Sequence, residues 1–231
     1  MDFNIGIYAV FEIFGFPVYI TESLVNMWIV MAILIAFAIV VRLKLTYTTS
    51  PKGLQNVAEL IVESFDRFVR GAAGDKVAYL GYWYFAVFSF ILLSNIGGVF
   101  FRPPTADWAV TFPLALVTLV LIHVLALKHK PKEHLKDMVV QPFPYLYPIN
   151  LVLNLIGEIA RPISLSFRLF GNILGSMVLL SLVYNVAPIP ARIIFPALLH
   201  GYFDVAMGAL QAFVFTVLGL SFIGAIAGTS E

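Results

Sequence analysis

Asn154, Glu158, Arg161, Arg168 and Asn172 interrupt an otherwise apolar stretch at steps of 4, 3, 7 and 4 residues. Those steps keep all five on one helical face, and Ser164 lies beside the same stripe. A later stretch carries His200, Asp204, Gly208 and Gln211 at steps of 4, 4 and 3, again on one face. A charged side chain at the centre of a bilayer costs roughly 2.5–3.5 kcal/mol on insertion scales. Such groups persist in apolar helices when they are paired, hydrated or useful. Two neighbouring helices with one polar stripe each are best explained by stripes that face a watery path or a partner.

Arg168 is the group whose chemistry is most constrained. It sits within Ile163-Ser164-Leu165-Ser166-Phe167-Arg168-Leu169-Phe170, with no acidic residue three or four positions away. A guanidinium keeps its proton in proteins, so Arg168 cannot relay protons and acts as a fixed positive charge. Its natural partner is a carboxylate from elsewhere, and this chain offers Asp204 alone at similar depth. Gly171 and Gly175, four residues apart, would let another helix approach closely. The other stripe residues also admit plainer roles. Glu158 and Arg161 can pair along the helix, and Arg161 can snorkel to an interface. Asn172 and Gln211 can serve as hydrogen bonds between helices, and His200 can be interfacial. Asp204, alone in an apolar run, must be neutral or reach water.

The elements that would position these residues follow from composition. The 231-residue chain is 61% hydrophobic and 12% charged, whereas soluble domains carry about 25% charged residues. There is too little charge to cover a water-facing surface, which places the chain in the membrane class. With no cysteine, disulfides, thiolate metal sites and cysteine nucleophiles are excluded. No basic patch with interleaved aromatics points to nucleic acid. The region before Thr21 holds Asp2 and Glu12 and no Lys or Arg, unlike a secretory signal peptide. The first apolar span is therefore expected to remain in the protein.

A spanning helix needs about 20 mostly apolar residues. The expected fold is an all-α integral membrane protein in one domain, with spans at 24–45, 79–101, 109–128, 149–186 and 193–227. Between the first two, Leu54, Val57, Ala58, Ile61, Phe65 and Phe68 recur at helical spacing among Glu59, Glu63, Asp66, Arg67 and Arg70. With Pro51 near its start and Gly71 near its end, 51–73 reads as an amphipathic helix along the membrane surface. The aromatic cluster Tyr82-Trp83-Tyr84-Phe85 marks an interface. The last two helices are longer than a perpendicular span requires and must tilt strongly, curve or protrude. They read as unbroken, separated by the turn Asn185-Val186-Ala187-Pro188-Ile189-Pro190. Six Lys and Arg fall between Arg42 and Lys76 and four between Lys128 and Lys136, against Arg102 and Arg192 in the opposite turns. The basic loops are expected in the cytoplasm, with the N-terminus outside and the C-terminus inside.

The stretch Arg161-Pro162-Ile163-Ser164-Leu165-Ser166-Phe167-Arg168-Leu169-Phe170-Gly171-Asn172 resembles the signature of subunit a of the bacterial F-type ATP synthase. Pro104-Thr105-Ala106-Asp107 with Thr111, Gln141-Pro142-Phe143, Pro148-Ile149-Asn150 and Leu210-Gln211-Ala212-Phe213-Val214-Phe215-Thr216 resemble further parts of that family in the same order. The resemblance implies a stator in the membrane sector, its last two helices tilted against a ring of c subunits. It implies b subunits of a peripheral stalk as neighbours and an ATPase head as an indirect partner. The setting it implies is the cell membrane of a bacterium. By similarity, two unconnected aqueous half-channels lead to the ring, and Arg168 corresponds to the essential arginine between them. Such a chain has no catalytic site and no cofactor; its cargo is a proton or a sodium ion.

The fixed charge suits this role physically. An ionised carboxylate in lipid is costly, and one beside Arg168 is not. A loaded carboxylate reaching Arg168 releases its ion, and the same charge repels a cation leaking straight through. A potential of 100 mV supplies ~2.3 kcal/mol per charge, so several ions must be added up mechanically for each ATP.

The chain also departs from the family pattern. Met177 stands nine residues after Arg168, where many relatives carry a titratable group. Asn154 stands fourteen before it, where many carry Glu, with Glu158 one turn later. Asp204 falls where relatives carry His or Glu. It is expected to be the main titratable group of the outer half-channel, with Asn172, His200 and Gln211 beside it. A secondary transporter would show repeats and broken helices, and a stand-alone channel a symmetric oligomer. An intramembrane enzyme would show a metal-binding helix, a nucleophile elbow or a phosphate loop, none of which is in the sequence.

Overall fold

The computed structural model describes residues 6–13, 15–45, 53–129, 131, 147–186 and 188–228. The expected readings at Pro51, at Gln141-Pro142-Phe143 and along Lys130–Lys136 lie outside or largely outside them. Among the described residues, five segments are long and apolar enough to cross a membrane: Glu22–Lys44, Asp75–Val99, Trp108–Lys128, Ile149–Val186 and Ile194–Gly224. The chain is an all-α integral membrane protein with one small exception.

That exception is an antiparallel hairpin, β1 (Ile7–Ile13) and β2 (Phe16–Thr21), turned at Gly15 with a φ of 81°. Its strands are rich in β-branched and aromatic residues, which favour extended backbone. The first helix, α1 (Glu22–Lys44), is capped by Thr21, whose side chain accepts from the Leu24 amide, and has Glu22 in its first turn and Arg42 and Lys44 in its last. This charge order complements the helix dipole. Ser23, Asn26 and Val30 are buried against the chain, and most of the second half of α1 is exposed to the surroundings. Asn26 Nδ2 donates to the Arg102 carbonyl at 2.9 Å and ties α1 to the turn after the next span.

Helix α2 (Leu54–Ala73) is strongly amphipathic. On its polar face Glu63 pairs with Arg67 and Asp66 with Arg70. Arg70 also reaches Asp75 at 2.8 Å in the following short 3-10 segment Asp75–Leu80. The two carboxylates hold the Arg70 guanidinium above its ordinary pKa. On the apolar face Val69 and Ala73 are buried, and Phe65 packs edge-on against Phe85. Val57, Leu60, Ile61 and Val62, in its first half, stay exposed. The helix thus leans its second half on the bundle and offers its first half to the surroundings.

The bundle core consists of α3 (Gly81–Ile96), α4 (Trp108–His129), α5 (Tyr147–Val186) and α7 (Gly208–Gly228). One apolar cluster joins Val69, Tyr84, Ile122, Leu125, Leu220 and Ile223, and another joins Val87, Ile91, Ala115, Leu169, Ala212 and Phe215. Helix α7 lies at the centre, and glycines bring its neighbours close. A Cβ at Gly224 would stand 2.6 Å from the Ala72 carbonyl oxygen, and one at Gly208 would stand 2.7 Å from Asn95 Cβ. Because a backbone carbonyl cannot step aside, Gly224→Leu is expected to destabilise the bundle by about 1–3 kcal/mol. A lowered unfolding temperature of the purified complex would show it.

The final span corrects one expectation. It is not a continuous α-helix: α6 (Ile189–His200) and α7 are joined by a π-helical segment, Gly201–Met207. A π turn inserts an extra residue and turns the following side chains about the axis. Asp204 sits inside that segment. Helix α5, by contrast, runs through all 40 of its residues despite Pro162, which removes the backbone bond to the Glu158 carbonyl. Of the apolar window of α5, 22% is buried among the described residues, and one side of the helix, with Ser164, Arg168, Gly171 and Gly175, is exposed.

Candidate functional site

Arg168 lies near the midpoint of α5, on the helix's exposed side. Among the described residues it makes no ion pair and no side-chain hydrogen bond. Asp204, the acid nearest in expected depth, is engaged elsewhere. Gly171 and Gly175 lie on the same exposed side, and a Cβ at either would meet nothing within 4 Å. Among the described residues no helix occupies the gap they offer. Ser164, one turn before Arg168, is also exposed. The opposite side of α5 is buried: Ser166 and Thr111 of α4 share a hydrogen bond of 3.0 Å, and Leu169 and Ile173 pack inward. Phe167, beside Arg168, stacks on Trp108 with ring centres 5.7 Å apart. The neighbours of Arg168 are thus pinned to α4 while its own charge stays free.

Two polar groups flank Arg168 along α5, one on each side. The first surrounds Asp204, which is 3% exposed. His200 Nδ1 lies 2.5 Å from Asp204 Oδ2, and Ser176 Oγ donates to Oδ1 at 3.3 Å. Ser176 is eight residues beyond Arg168, ~12 Å along the helix. From α3, Asn95 Nδ2 donates to the Gly208 carbonyl at 3.1 Å and its Oδ1 accepts from Thr105 at 2.7 Å. A Cβ at Gly98 would come 3.3 Å from Asp204 Oδ2, so this backbone closes one wall of the pocket. Gln211 is buried on α7 with its amide nitrogen unpartnered, as is the Asn172 amide nitrogen on α5. These two buried donors suit a path that water or a passing group enters. Substituting Gly98→Val is expected to displace the Asp204 carboxylate and to slow transport several-fold with the complex still assembled. Copurification with the other subunits and a transport assay on the same preparation check both halves.

The second group surrounds Glu158. Arg161 Nη1 donates to Glu158 Oε1 at 2.7 Å, and the Arg161 guanidinium stands 4.9 Å from the centre of the Phe222 ring. His123 of α4 brings Nε2 to 3.5 Å from Glu158 Oε2. Between this group and Arg168 runs a cavity of about 340 Å³ whose wall includes Thr118, Gly157, Arg161, Ser164, Arg168 and Phe222. Arg161 and Arg168 both contribute to its wall.

Of the residues singled out in the sequence, His200 and Asp204 meet directly, and so do Glu158 and Arg161. Ser176, Asn95, Thr105 and His123 complete the two groups and were missed, because their partners stand on other helices.

The sequence profile of the family described as ATP synthase A chain matches residues 24–224. The chain belongs to this family. It is 32% identical over 209 residues to ATP synthase subunit a of Moorella thermoacetica, a match that covers 90% of this chain and 91% of the relative. It is 33% identical over 255 residues to a sodium-ion-specific ATP synthase subunit a of Propionigenium modestum, covering 100% of this chain and 81% of that one. ATP synthase subunit a 1 of Syntrophotalea carbinolica is 32% identical over 218 residues, with 92% and 86% covered. The chain is thus a multi-pass membrane subunit of the Fo sector and works in a complex with other Fo and F1 subunits.

Proposed function

We propose that the chain is the stator of the ion path. It offers two offset half-channels to a rotating c-ring, separated by Arg168. What carries this reading is the unpaired Arg168 cation on an open, glycine-bearing side of α5, with polar groups lying on opposite sides of it. The Asp204 group lines the access from one membrane face and the 340 Å³ cavity lines the access from the other. A rotor carboxylate that has lost its ion can pass Arg168, because the fixed cation offsets the cost of an ionised group in lipid. A free cation cannot, because the same charge repels it.

The Lys and Arg bias puts the cavity and the Glu158 group on the cytoplasmic side and the hairpin and Asp204 outside, in the cell membrane of a bacterium. The exposed α1 and the free half of α2 face the b subunits and lipid; the F1 head is reached only through the other subunits. The chain performs no chemistry and needs no cofactor, and its cargo is a proton or sodium. The test is ATP-driven uptake by proteoliposomes carrying the whole complex, with and without sodium. Uptake that rises with sodium and persists with a protonophore assigns sodium; uptake collapsed by the protonophore assigns the proton. ATP hydrolysis with no ion movement of either kind would count against the reading.

A further inference from the structure

Asp204 lies in the π-helical segment Gly201–Met207, and such a segment needs support from its neighbours. The α form is the far commoner geometry for a helical backbone. A return to it across these residues would turn α6 against α7 by roughly 100°, the rotation of one helical residue. Asp204, in the middle of the segment, would then leave Ser176 and the Gly98 backbone, which it meets at present.

Asn95 of α3 grips the end of this segment. Its Nδ2 lies 3.1 Å from the carbonyl oxygen of Gly208, the first residue of α7. A carbonyl oxygen only accepts, so the amide stands with its nitrogen toward Gly208 and its oxygen toward Thr105. Thr105, in the short 3-10 turn Pro104–Ala106, must then donate its hydroxyl hydrogen to Asn95 Oδ1, at 2.7 Å. Asn95 and Thr105 are both 0% exposed, so each group depends on the other for its bond. A carbonyl oxygen has two lone pairs, and Gly208 can accept from Asn95 while keeping its place in the helix. Three residues after Asn95, in the 3-10 continuation Gly97–Val99, the Gly98 backbone passes the Asp204 carboxylate. One stretch of chain therefore fixes the end of the π segment and also walls the acid within it.

We infer that Asn95 is a positioning residue for ion transfer at Asp204. Oriented by Thr105, it pins Gly208 and so holds the π turn that presents the Asp204 carboxylate to its pocket. The inference rests on the stator reading above, in which Asp204 lines one access path, and deepens it. Asn95 acts through the backbone of Gly208 and takes up no proton itself. The position calls for a donor and an acceptor on one short side chain. Asn supplies both, and an ionised Asp or a Leu does not.

The test uses the whole complex reconstituted in proteoliposomes. ATP-driven uptake is read with a pH-sensitive dye and with labelled sodium, and copurification of the ring and head reports assembly. Thr105→Val keeps the shape of the side chain and loses the donor, whereas Thr105→Ser keeps the donor. Asn95→Leu keeps the bulk and loses both polar groups. Uptake is expected to fall about fivefold in Thr105→Val and in Asn95→Leu, the population shift that one lost hydrogen bond brings. Thr105→Ser should retain roughly half of the wild-type uptake or more, a loss smaller than one hydrogen bond brings. Copurification should be normal throughout. The effect must also run through Asp204, so adding Thr105→Val to Asp204→Asn should lower the residual uptake no further.

Equal losses in Thr105→Val and Thr105→Ser would assign Thr105 a packing role and overturn the inference. So would wild-type uptake in Thr105→Val and Asn95→Leu, a loss of copurification that accompanies the loss of uptake, or an undiminished effect of Thr105→Val in the Asp204→Asn background. Arg168→Ala in the same vesicles separates the two levels. Normal uptake there would remove the stator reading itself, whereas lost uptake there beside an unaffected Thr105→Val would remove the role of Asn95 alone.

Discussion

Replacing Arg168 by Ala is expected to lower ATP-driven ion uptake by ~100-fold while leaving the complex assembled. The cost of an unpaired charge at mid-bilayer, about 2.5–3.5 kcal/mol, corresponds to a factor of roughly 10² in the population of ionised rotor carboxylates that can pass. With Ala at 168, a rotor carboxylate reaching this point has no reason to give up its ion, so coupled rotation stops. The ion also meets no barrier between the two half-channels when they are briefly bridged, so passive leak should rise. Both effects follow because Arg168 pairs with nothing described in its own chain, and its removal strands no buried partner. Assembly, judged by copurification of the head and ring, should therefore remain normal. A shared fall in assembly and uptake would mean that the guanidinium holds structure instead.

Asp204→Asn is the second large effect. Asn keeps the shape and can still accept from Ser176, but it cannot take up or release a proton. Positioned proton-transfer groups contribute on the order of 10²-fold at the low end, and a loss of about that size in uptake is expected. His200 loses a charged partner at the same time. Leaving a buried polar group poorly paired costs about 1–3 kcal/mol, so some loss of stability accompanies the change. Asp204→Glu separates these contributions. It restores titration within a pocket closed by Gly98, where the extra methylene has little room, and should recover part of the uptake. If Asp204→Asn transports at the wild-type rate, the path on that face runs elsewhere.

Much of the site was legible because it is written along single helices. The absence of an acid three or four residues from Arg168 announced a cation with no partner on its own helix. The four-residue steps His200–Asp204 and Gly171–Gly175 encode one contact that forms and one gap that stays open. What sequence spacing could not carry is any pairing across helices. His123 lies in an apolar run, and its contact with Glu158, 35 residues later, is made from another helix. Ser176 and Asn95 were hidden for the same reason. The π segment Gly201–Met207 was invisible because one inserted residue leaves the amino-acid pattern unchanged while rotating everything after it. The hairpin escaped because both faces of its strands carry apolar side chains, such as Ile7, Tyr8, Val10 and Tyr19, so no polar–apolar alternation marked it.

The Glu158–Arg161 pair commits one carboxylate oxygen of Glu158 and leaves the other for a neighbour on another helix. Paired with Arg161, the Glu158 carboxylate is neutralised in place, yet one of its oxygens remains turned toward His123. Pro162 follows directly and frees the backbone carbonyl of Glu158 from the helix ladder.

The most direct measurement is a high-resolution map of the intact membrane sector with the ring in place. The Arg168 guanidinium should point across the open side of α5, within about 6 Å of a rotor carboxylate, close enough to favour its ionised form. A guanidinium directed into lipid, or paired with an acid of its own chain while the ring passes at a distance, would contradict the account.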